Sequence, residues 1–355
     1  MNIVNKIDFT GQHIYVGLDV HKKSWNVSIH GAHLEHKTYS QPPDPQVLGN
    51  YLRRNFPGAY YHCVYEAGFC GFWICDGLKE QGIDCLVVNP ADVPTNDKER
   101  ATKSDRVDCR KLARNLRDGR VHGIYIPSKI KIEDRNLLRI HQNLVKKQTR
   151  CKNQIKSFLH FYGKSIPEEM VLSHWSRRYI QELENISMEG PTGIISLQTL
   201  LSELIHLRGL IAKIKREIIA LSRSEDYRES VQWLKTIPGI STLGAMTLLT
   251  ELVDIERFAC FNRLASYVGF IPNVHGSGEK ERQTGLTNRR NPTLRVLLIE
   301  AAWVAVRKDP AMMMAFNRLC IRMKKTRAIV PIAKKLLRRV RFVLKNRTAY
   351  QLAVV

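Results

Sequence analysis

Residues His13–Asp19 read HIYVGLD, a β-branched and aromatic run that ends on a carboxylate. Its length suits a strand better than a helix. Ser24–His30 (SWNVSIH) alternates apolar and polar side chains, as a half-buried strand does. The two runs are close enough to form a hairpin, and Leu34–Tyr39 adds a weaker third strand. Pro45–Asn55 reads as a helix, Tyr60–Glu66 (YYHCVYE) as a strand and Phe72–Gln81 as a helix. Asp84–Val88 (DCLVV) is a short buried strand that Asn89-Pro90 ends. Antiparallel strands followed by strand–helix alternation predict a mixed α/β sheet covered by helices.

Further along, residues 135–162 are helical and basic. A joint rich in glycine and proline follows over residues 163–195. Leu197, Leu200, Leu204, Leu207, Ile211, Ile214, Ile218 and Leu221 then recur in steps of three and four. That is a heptad seam. It predicts a coiled coil, between subunits or with residues 135–162 of the same chain; one core-facing helix of a bundle gives the same pattern. From Trp233 the chain reads as helix, tight turn at Pro238-Gly239, helix. Arg318 to Arg347 holds twelve Lys or Arg and no Asp or Glu, with apolar residues interleaved. This favours an amphipathic helix with a basic face.

The 355 residues suffice for two or three compact units. The expected division is residues 1–130, a helical linker and coiled coil over 131–228, and a mainly α unit over 229–355. Lys and Arg total 56 against 33 Asp and Glu, a formal net charge of +23. Such an excess points to a polyanionic partner, nucleic acid being the commonest. The eight cysteines form no C-x-x-C pair, so a zinc knuckle has little support. No apolar run approaches the roughly eighteen residues of a membrane helix, and the N-terminus lacks the apolar stretch of a secretory signal. No membrane partner and a cytoplasmic location are expected.

Four acidic residues stand out. Asp19 ends the first strand, Glu66 ends another, and Asp105 and Asp108 are three apart in KSDRVD. On a helix that spacing puts both aspartates on one side. Carboxylates so close repel one another and need cations. Hard oxygen ligands select Mg²⁺ or Mn²⁺, and two such ions about 4 Å apart clamp the oxygens of a phosphodiester. The alternative is structural: Asp19 caps a turn, and Asp105 and Asp108 pair with Arg106 or Arg110.

Residues 269–282 form a Gly- and polar-rich loop with Ser277 between two glycines. Glycine neighbours let backbone approach a ligand closely, but serine needs a base or metal to act as a nucleophile. Arg282, Arg289, Arg290 and Arg295 are near in sequence and suit a phosphoryl group. A flexible loop whose arginines simply bind phosphate explains the same residues. The Ile237-Pro238-Gly239-Ile240 turn resembles a helix-hairpin-helix element, which offers backbone N–H groups to phosphate; an ordinary αα-hairpin is the competing reading. Lys334, Lys335, Arg338 and Arg339 of the basic tail complete the nucleic-acid candidates.

Together these pieces resemble the DEDD-type insertion-sequence transposases over nearly the whole chain. The matching fragments are Gly-Leu-Asp19-Val, Tyr-Glu66-Ala-Gly and Lys-Ser-Asp105-Arg-Val-Asp108. In the C-terminal part they are Ile-Pro-Gly-Ile240, Arg257-Phe258, Gly269-Phe-Ile-Pro272, Ser277-Gly278 and Leu294-Arg295. The resemblance implies an RNase H-like (RuvC-like) N-terminal domain, a helical coiled-coil middle and a mainly α C-terminal domain with the hairpin-like turn. It implies Asp19, Glu66, Asp105 and Asp108 as a Mg²⁺ (or Mn²⁺) site, and Ser277 as a nucleophile that links covalently to DNA. It further implies a homo-oligomer, dimer to tetramer, in which serine and carboxylates come from different chains. The partners would be donor and target DNA and a bridging non-coding RNA, in a prokaryotic, nucleoid-associated setting. A RuvC-like junction endonuclease that uses water as nucleophile is the alternative.

Overall fold

A computed structural model describes residues 8–96, 104–164, 175–277 and 280–352, and of residues 274–277 and 280–284 the backbone alone. The chain divides into two compact units, Met1–Ile126 and Pro127–Val355.

The first unit holds a five-stranded sheet in the order β3-β2-β1-β4-β5. Its strands are β1 (His13–Val20), β2 (Trp25–His30), β3 (Glu35–Gln41), β4 (Tyr60–Glu66) and β5 (Asp84–Val88). β1 runs antiparallel to β2 and parallel to β4; β4 runs parallel to β5. The predicted mixed sheet is thus observed. Helices α1 (Pro45–Asn55) and α2 (Trp73–Glu80) link the parallel strands. Asp44 accepts a hydrogen bond from the Gln46 N–H, and Pro45 opens α1, where its missing N–H costs nothing.

The two faces of the sheet have different covers. Ile14, Val16 and Leu18 of β1 pack with Leu48, Ile74 and Leu78 of α1 and α2. The other face takes α3 (Asp105–Arg117), where Leu112 packs with Val64 and Val88. Both faces of β1 are therefore buried, which is why its run is nearly unbroken in apolar character. Side chains alternate along a strand, so Asp19 shares the α3 face with Gly17. Glu66 shares it with Val64.

In the second unit, α4 (Lys129–Phe161) and α6 (Pro191–Leu221) form an antiparallel helical hairpin. α4 begins earlier than its basic run suggests, because the Ser128 side chain caps it. Leu144, Cys151, Ile155 and Leu159 meet Leu197, Leu201, Leu204 and Leu207, so the heptad seam of α6 finds a partner inside its own chain. The short α5 (Arg177–Glu184) adds Tyr179, Ile180 and Leu183 to this core. By length and composition α6 is apolar enough to cross a membrane. That corrects the expectation from the sequence that no apolar run comes near such a length; the stretch carries only Glu203 and Arg208 as charges between Pro191 and Leu210. Its leucine stripe is nevertheless packed on α4.

The rest is α7 (Arg228–Lys235), α8 (Thr242–Leu252), α9 (Phe261–Val268), the hairpin β6 (Pro272–Ser277) and β7 (Lys280–Leu286), and α10 (Pro292–Lys308), α11 (Pro310–Cys320) and α12 (Lys325–Asn346). Residues 269–282 were expected as loop; β6 and β7 instead pair antiparallel from Pro272 onward, with Ser277 opposite Lys280. Two extended runs separated by two residues satisfy each other's backbone groups as a hairpin. α12 is the predicted amphipathic helix. Its Ile329, Ile332, Leu336, Leu337, Val340 and Val343 are buried.

Candidate metal centre and nucleic-acid interface

Leu18 of β1 is in register with Tyr65 of β4. The next residues, Asp19 and Glu66, are therefore neighbours at one end of adjacent parallel strands. α3 brings the other two acids. The Ser104 side chain accepts from the Val107 N–H and so starts the helix with Asp105 and Asp108 in its first turn. A helix N-terminus favours negative charge. What holds α3 against β1 is Gly17: a Cβ there would lie 2.1 Å from the Cys109 carbonyl oxygen and 2.4 Å from the Ala113 nitrogen. Any side chain larger than hydrogen would force the acid-bearing helix away from the strand.

Two nitrogen-bearing side chains sit among the acids. His21 Nε2 is 3.1 Å from Asp19 Oδ2 and 3.4 Å from Asp105 Oδ2. The Lys111 ammonium is 3.1 Å from Asp108 Oδ1 and 3.8 Å from Glu66 Oε1, with its side chain only 9% exposed. Of the suggested arginine partners, Arg110 instead reaches Glu35, at 2.6 Å. Burial pushes the Asp19 carboxyl above its ordinary range; His21 pulls it back, while Asp105 and Asp108 add to the rise. A carboxylate that is hard to ionise among other carboxylates is a site short of positive charge. The donors of Asp19, His21 and Asp105 all lie within 4.8 Å of one another, a spacing and chemistry that fit a divalent ion.

The second unit has its own polar knot. Glu251 is 1% exposed. Its carboxylate accepts two bonds from Arg139, at 2.7 and 2.9 Å, and one from Asn291 Nδ2 at 2.8 Å. Tyr267 Oη donates to the Glu251 carbonyl at 3.2 Å, and Arg135 Nε to that of Thr250 at 3.0 Å. Burial works against ionising Glu251, but Arg139 and Asn291 outweigh it and hold the carboxyl below its usual range. Asn291 also caps α10 through the Leu294 N–H. The feet of the β6–β7 hairpin, at Ile271 and Thr287, are hydrogen-bonded to each other and lie between Tyr267 and Asn291 in sequence. The side chains of Ser277 and Arg282 lie outside the described residues.

The remaining basic candidates separate into two groups. Arg289, Arg290, Lys335 and Arg338 are exposed, whereas Arg295, Lys334 and Arg339 are half-buried. Arg295 donates to the Thr287 carbonyl. Arg339 stacks on and bonds to Tyr350, whose hydroxyl donates to Asp309 at 2.6 Å. Arg338 lies 4.6 Å over the Phe261 ring. Gly239 has φ +91, and a Cβ on it would lie 2.3 Å from the Ala301 carbonyl oxygen. Packing against α10 is thus sufficient to require glycine in the Pro238-Gly239 turn.

Family comparisons agree with this arrangement. A DEDD transposase model of the IS110 type matches residues 16–163. A second model, the IS116/IS110/IS902 transposase family, matches residues 231–317. The chain belongs to the DEDD-type insertion-sequence transposase family.

The first transposase model spans all four carboxylates and the second spans Ser277 and Glu251. The chain is 28% identical over 247 residues to a putative transposase, y4qE, of Sinorhizobium fredii, covering 68% of this chain and 58% of that one. It is 27% identical over 263 residues to the transposase for insertion sequence element IS1111A of Coxiella burnetii, covering 72% and 69%. It is 26% identical to the transposase for insertion sequence element IS1533 of Leptospira borgpetersenii, covering 92% and 99%.

Three residues of this transposase-family chain escaped the reading of the sequence. His21 stands two positions after a strand-end acid, and Lys111 three after Asp108, the spacing of a helical ion pair. Glu251 is the sole acid between Glu229 and Asp254. A lone acid in so apolar a stretch is a signal of a buried pair.

Proposed function

We propose that this chain is the transposase of an insertion sequence and that it cuts and rejoins DNA strands. The observation that carries the reading is the gathering of Asp19, Glu66, Asp105 and Asp108 at one end of the sheet. The strand order β3-β2-β1-β4-β5 and the α3 cover support an RNase H-like assignment for the first unit. Asp19 and Asp105, with Glu66 and Asp108 beside them, would hold Mg²⁺ or Mn²⁺. Such an ion supplies Lewis-acid charge at a scissile phosphate.

Ser277 is the nucleophile in this reading. Its Oγ forms a bond to phosphorus while the bond to the leaving deoxyribose oxygen breaks. The hydroxyl proton leaves to a base, and the leaving oxygen takes up a proton. The covalent phosphoserine link conserves the phosphodiester for rejoining. Arg289 and Arg290 are exposed near the hairpin foot, where they suit phosphate contacts. Lys335 and Arg338, exposed on α12, add backbone affinity, and the +23 net charge suits both DNA and a bridging RNA. Pairing by that RNA would choose the sequence, and a homo-oligomer would bring serine and carboxylates of different chains together. The bacterial sources of the relatives support a prokaryotic host.

The test is strand exchange with donor and target DNA, the element's RNA and Mg²⁺. Ser277→Ala and Asp19→Ala each abolish exchange and leave nucleic-acid binding intact, and a covalent protein–DNA species is trapped with wild type only. One observation favours a second reading, a nuclease with water as nucleophile: the acid cluster is complete within the first unit. Full-rate cleavage by Ser277→Ala would establish that reading instead.

A further inference from the structure

We propose that Glu251 is a positioning residue for the hairpin that carries Ser277. Through Asn291 and Tyr267 it fixes both feet of β6 and β7 and ties them to α4. The inference rests on the reading of Ser277 as the nucleophile and names what holds that serine's strand in place.

The arrangement of donors carries the inference. Glu251 is buried on α8, where an apolar pair of similar volume would be as stable as its pairing with Arg139, or more so. What the carboxylate provides is direction. Its Oε2 accepts from Arg139 Nη2 of α4 at 2.9 Å and from Asn291 Nδ2 at 2.8 Å. A single oxygen thus joins the long helix to the residue that caps α10. Asn291 donates its backbone N–H to the Tyr267 carbonyl at 2.9 Å, and Tyr267 Oη returns to the Glu251 carbonyl at 3.2 Å. The ring of contacts closes around the hairpin. Ile271 follows Tyr267 by four residues and Thr287 precedes Asn291 by four. The Thr287 N–H donates to the Ile271 carbonyl at 3.1 Å.

The backbone next to Glu251 is strained. Val253 has φ 61 and ψ −69, a γ-turn that a β-branched residue rarely adopts. The Asp254 N–H closes it on the Leu252 carbonyl at 2.8 Å. Such a turn persists only where its surroundings over-determine it. On one side Arg135 Nε holds the Thr250 carbonyl at 3.0 Å. On the other the Arg257 guanidinium stacks 4.8 Å over the Tyr267 ring. The strain lies within the same knot, which therefore holds one geometry at some cost.

The test uses the full chain and two variants. Glu251→Leu combined with Arg139→Met replaces the pair by apolar side chains, a change that a purely structural pair tolerates. Asn291→Ser keeps a capping hydroxyl for α10 but is too short to reach Glu251, and it serves alone if the double variant does not fold. Hydrogen exchange read by mass spectrometry follows the hairpin without nucleic acid. Gel electrophoresis follows the covalent protein–DNA species formed at saturating donor DNA with the element's RNA and Mg²⁺. In each variant the β6 and β7 amides lose protection while those of α4 and α6 keep it. The covalent species forms about a hundredfold more slowly. Wild-type protection of the hairpin, or a wild-type rate despite lost protection, overturns the proposal. Ser277→Ala separates the two levels. If it cleaves at full rate, the nucleophile assignment falls, and hydrogen exchange alone decides whether Glu251 holds the hairpin.

Discussion

Gly17 on β1 faces Cys109 on α3 so closely that an added Cβ would stand 2.1 Å from the Cys109 carbonyl oxygen. The contact is to backbone, so no rotamer change relieves it. Gly17→Ala therefore has to move α3, and with it Asp105, Asp108 and Lys111. Overpacking of this kind costs about 1–3 kcal/mol or more. Urea unfolding measures that loss, and Mn²⁺ affinity falls further than the stability loss explains. Unchanged metal affinity would show that α3 does not set the site.

Burial above all, with the like charges of Asp105 and Asp108 added, works against an ionised Asp19. Asp19→Asn removes that cost and keeps the shape. The metal-free protein then melts a few degrees higher, while metal binding and strand exchange are lost. A lower melting temperature would mean that the His21 contact outweighs that cost.

Glu251 gives the second unit a dependence on pH. Its carboxyl is held below the ordinary glutamate range in the folded chain. A depressed folded value means stability that is present above the unfolded carboxyl range and is lost as pH falls through the folded one. Glu251→Gln is less stable at pH 7, and its urea midpoint changes less between pH 7 and 3 than that of wild type. The loss at pH 7 is about 2–3 kcal/mol, below that of a fully buried pair because Arg139 is 49% exposed. Parallel pH curves for the two proteins would refute this role.

The outer face of α12 is a stripe. Arg327, Lys335, Arg338 and Phe342 are exposed and follow one another at multiples of three or four along the helix. Replacing Lys335 and Arg338 together by alanine lowers DNA affinity evenly across sequences. The slope of log K against log salt falls by about 1.8 if each contacts one phosphate. A change in sequence preference with an unchanged slope would exclude backbone contact.

Leu204 is fully buried between α6 and α4. Leu204→Ala costs about 2–5 kcal/mol, read by circular dichroism in urea. The exposed Ile205, next to it on α6, tolerates alanine without measurable loss if it has no partner in solution. A loss that grows with protein concentration would identify it as a contact between copies.

Much of the first unit was legible because burial on one or two faces leaves a period in the sequence. β4, α1 and β5 fall where alternation, the Asp44-Pro45 start and the DCLVV run put them. The heptad seam was equally plain, but not its partner: an apolar stripe says that it is covered, not by what. The β6–β7 hairpin was hidden because its residues are polar and Gly-rich, so no apolar alternation marks it.

Local chemistry along the chain determined which residues are acids at strand ends, where α3 begins and which helices carry an apolar stripe, since each follows from near neighbours. Only the tertiary structure decided that His21 joins Asp19 and Asp105, that Lys111 sits between Glu66 and Asp108, and that Glu251 meets Arg139 across 112 residues of chain. Those partnerships depend on how close a helix comes to a strand or to another helix. That distance is set by side-chain volume in three dimensions, above all by the missing one at Gly17.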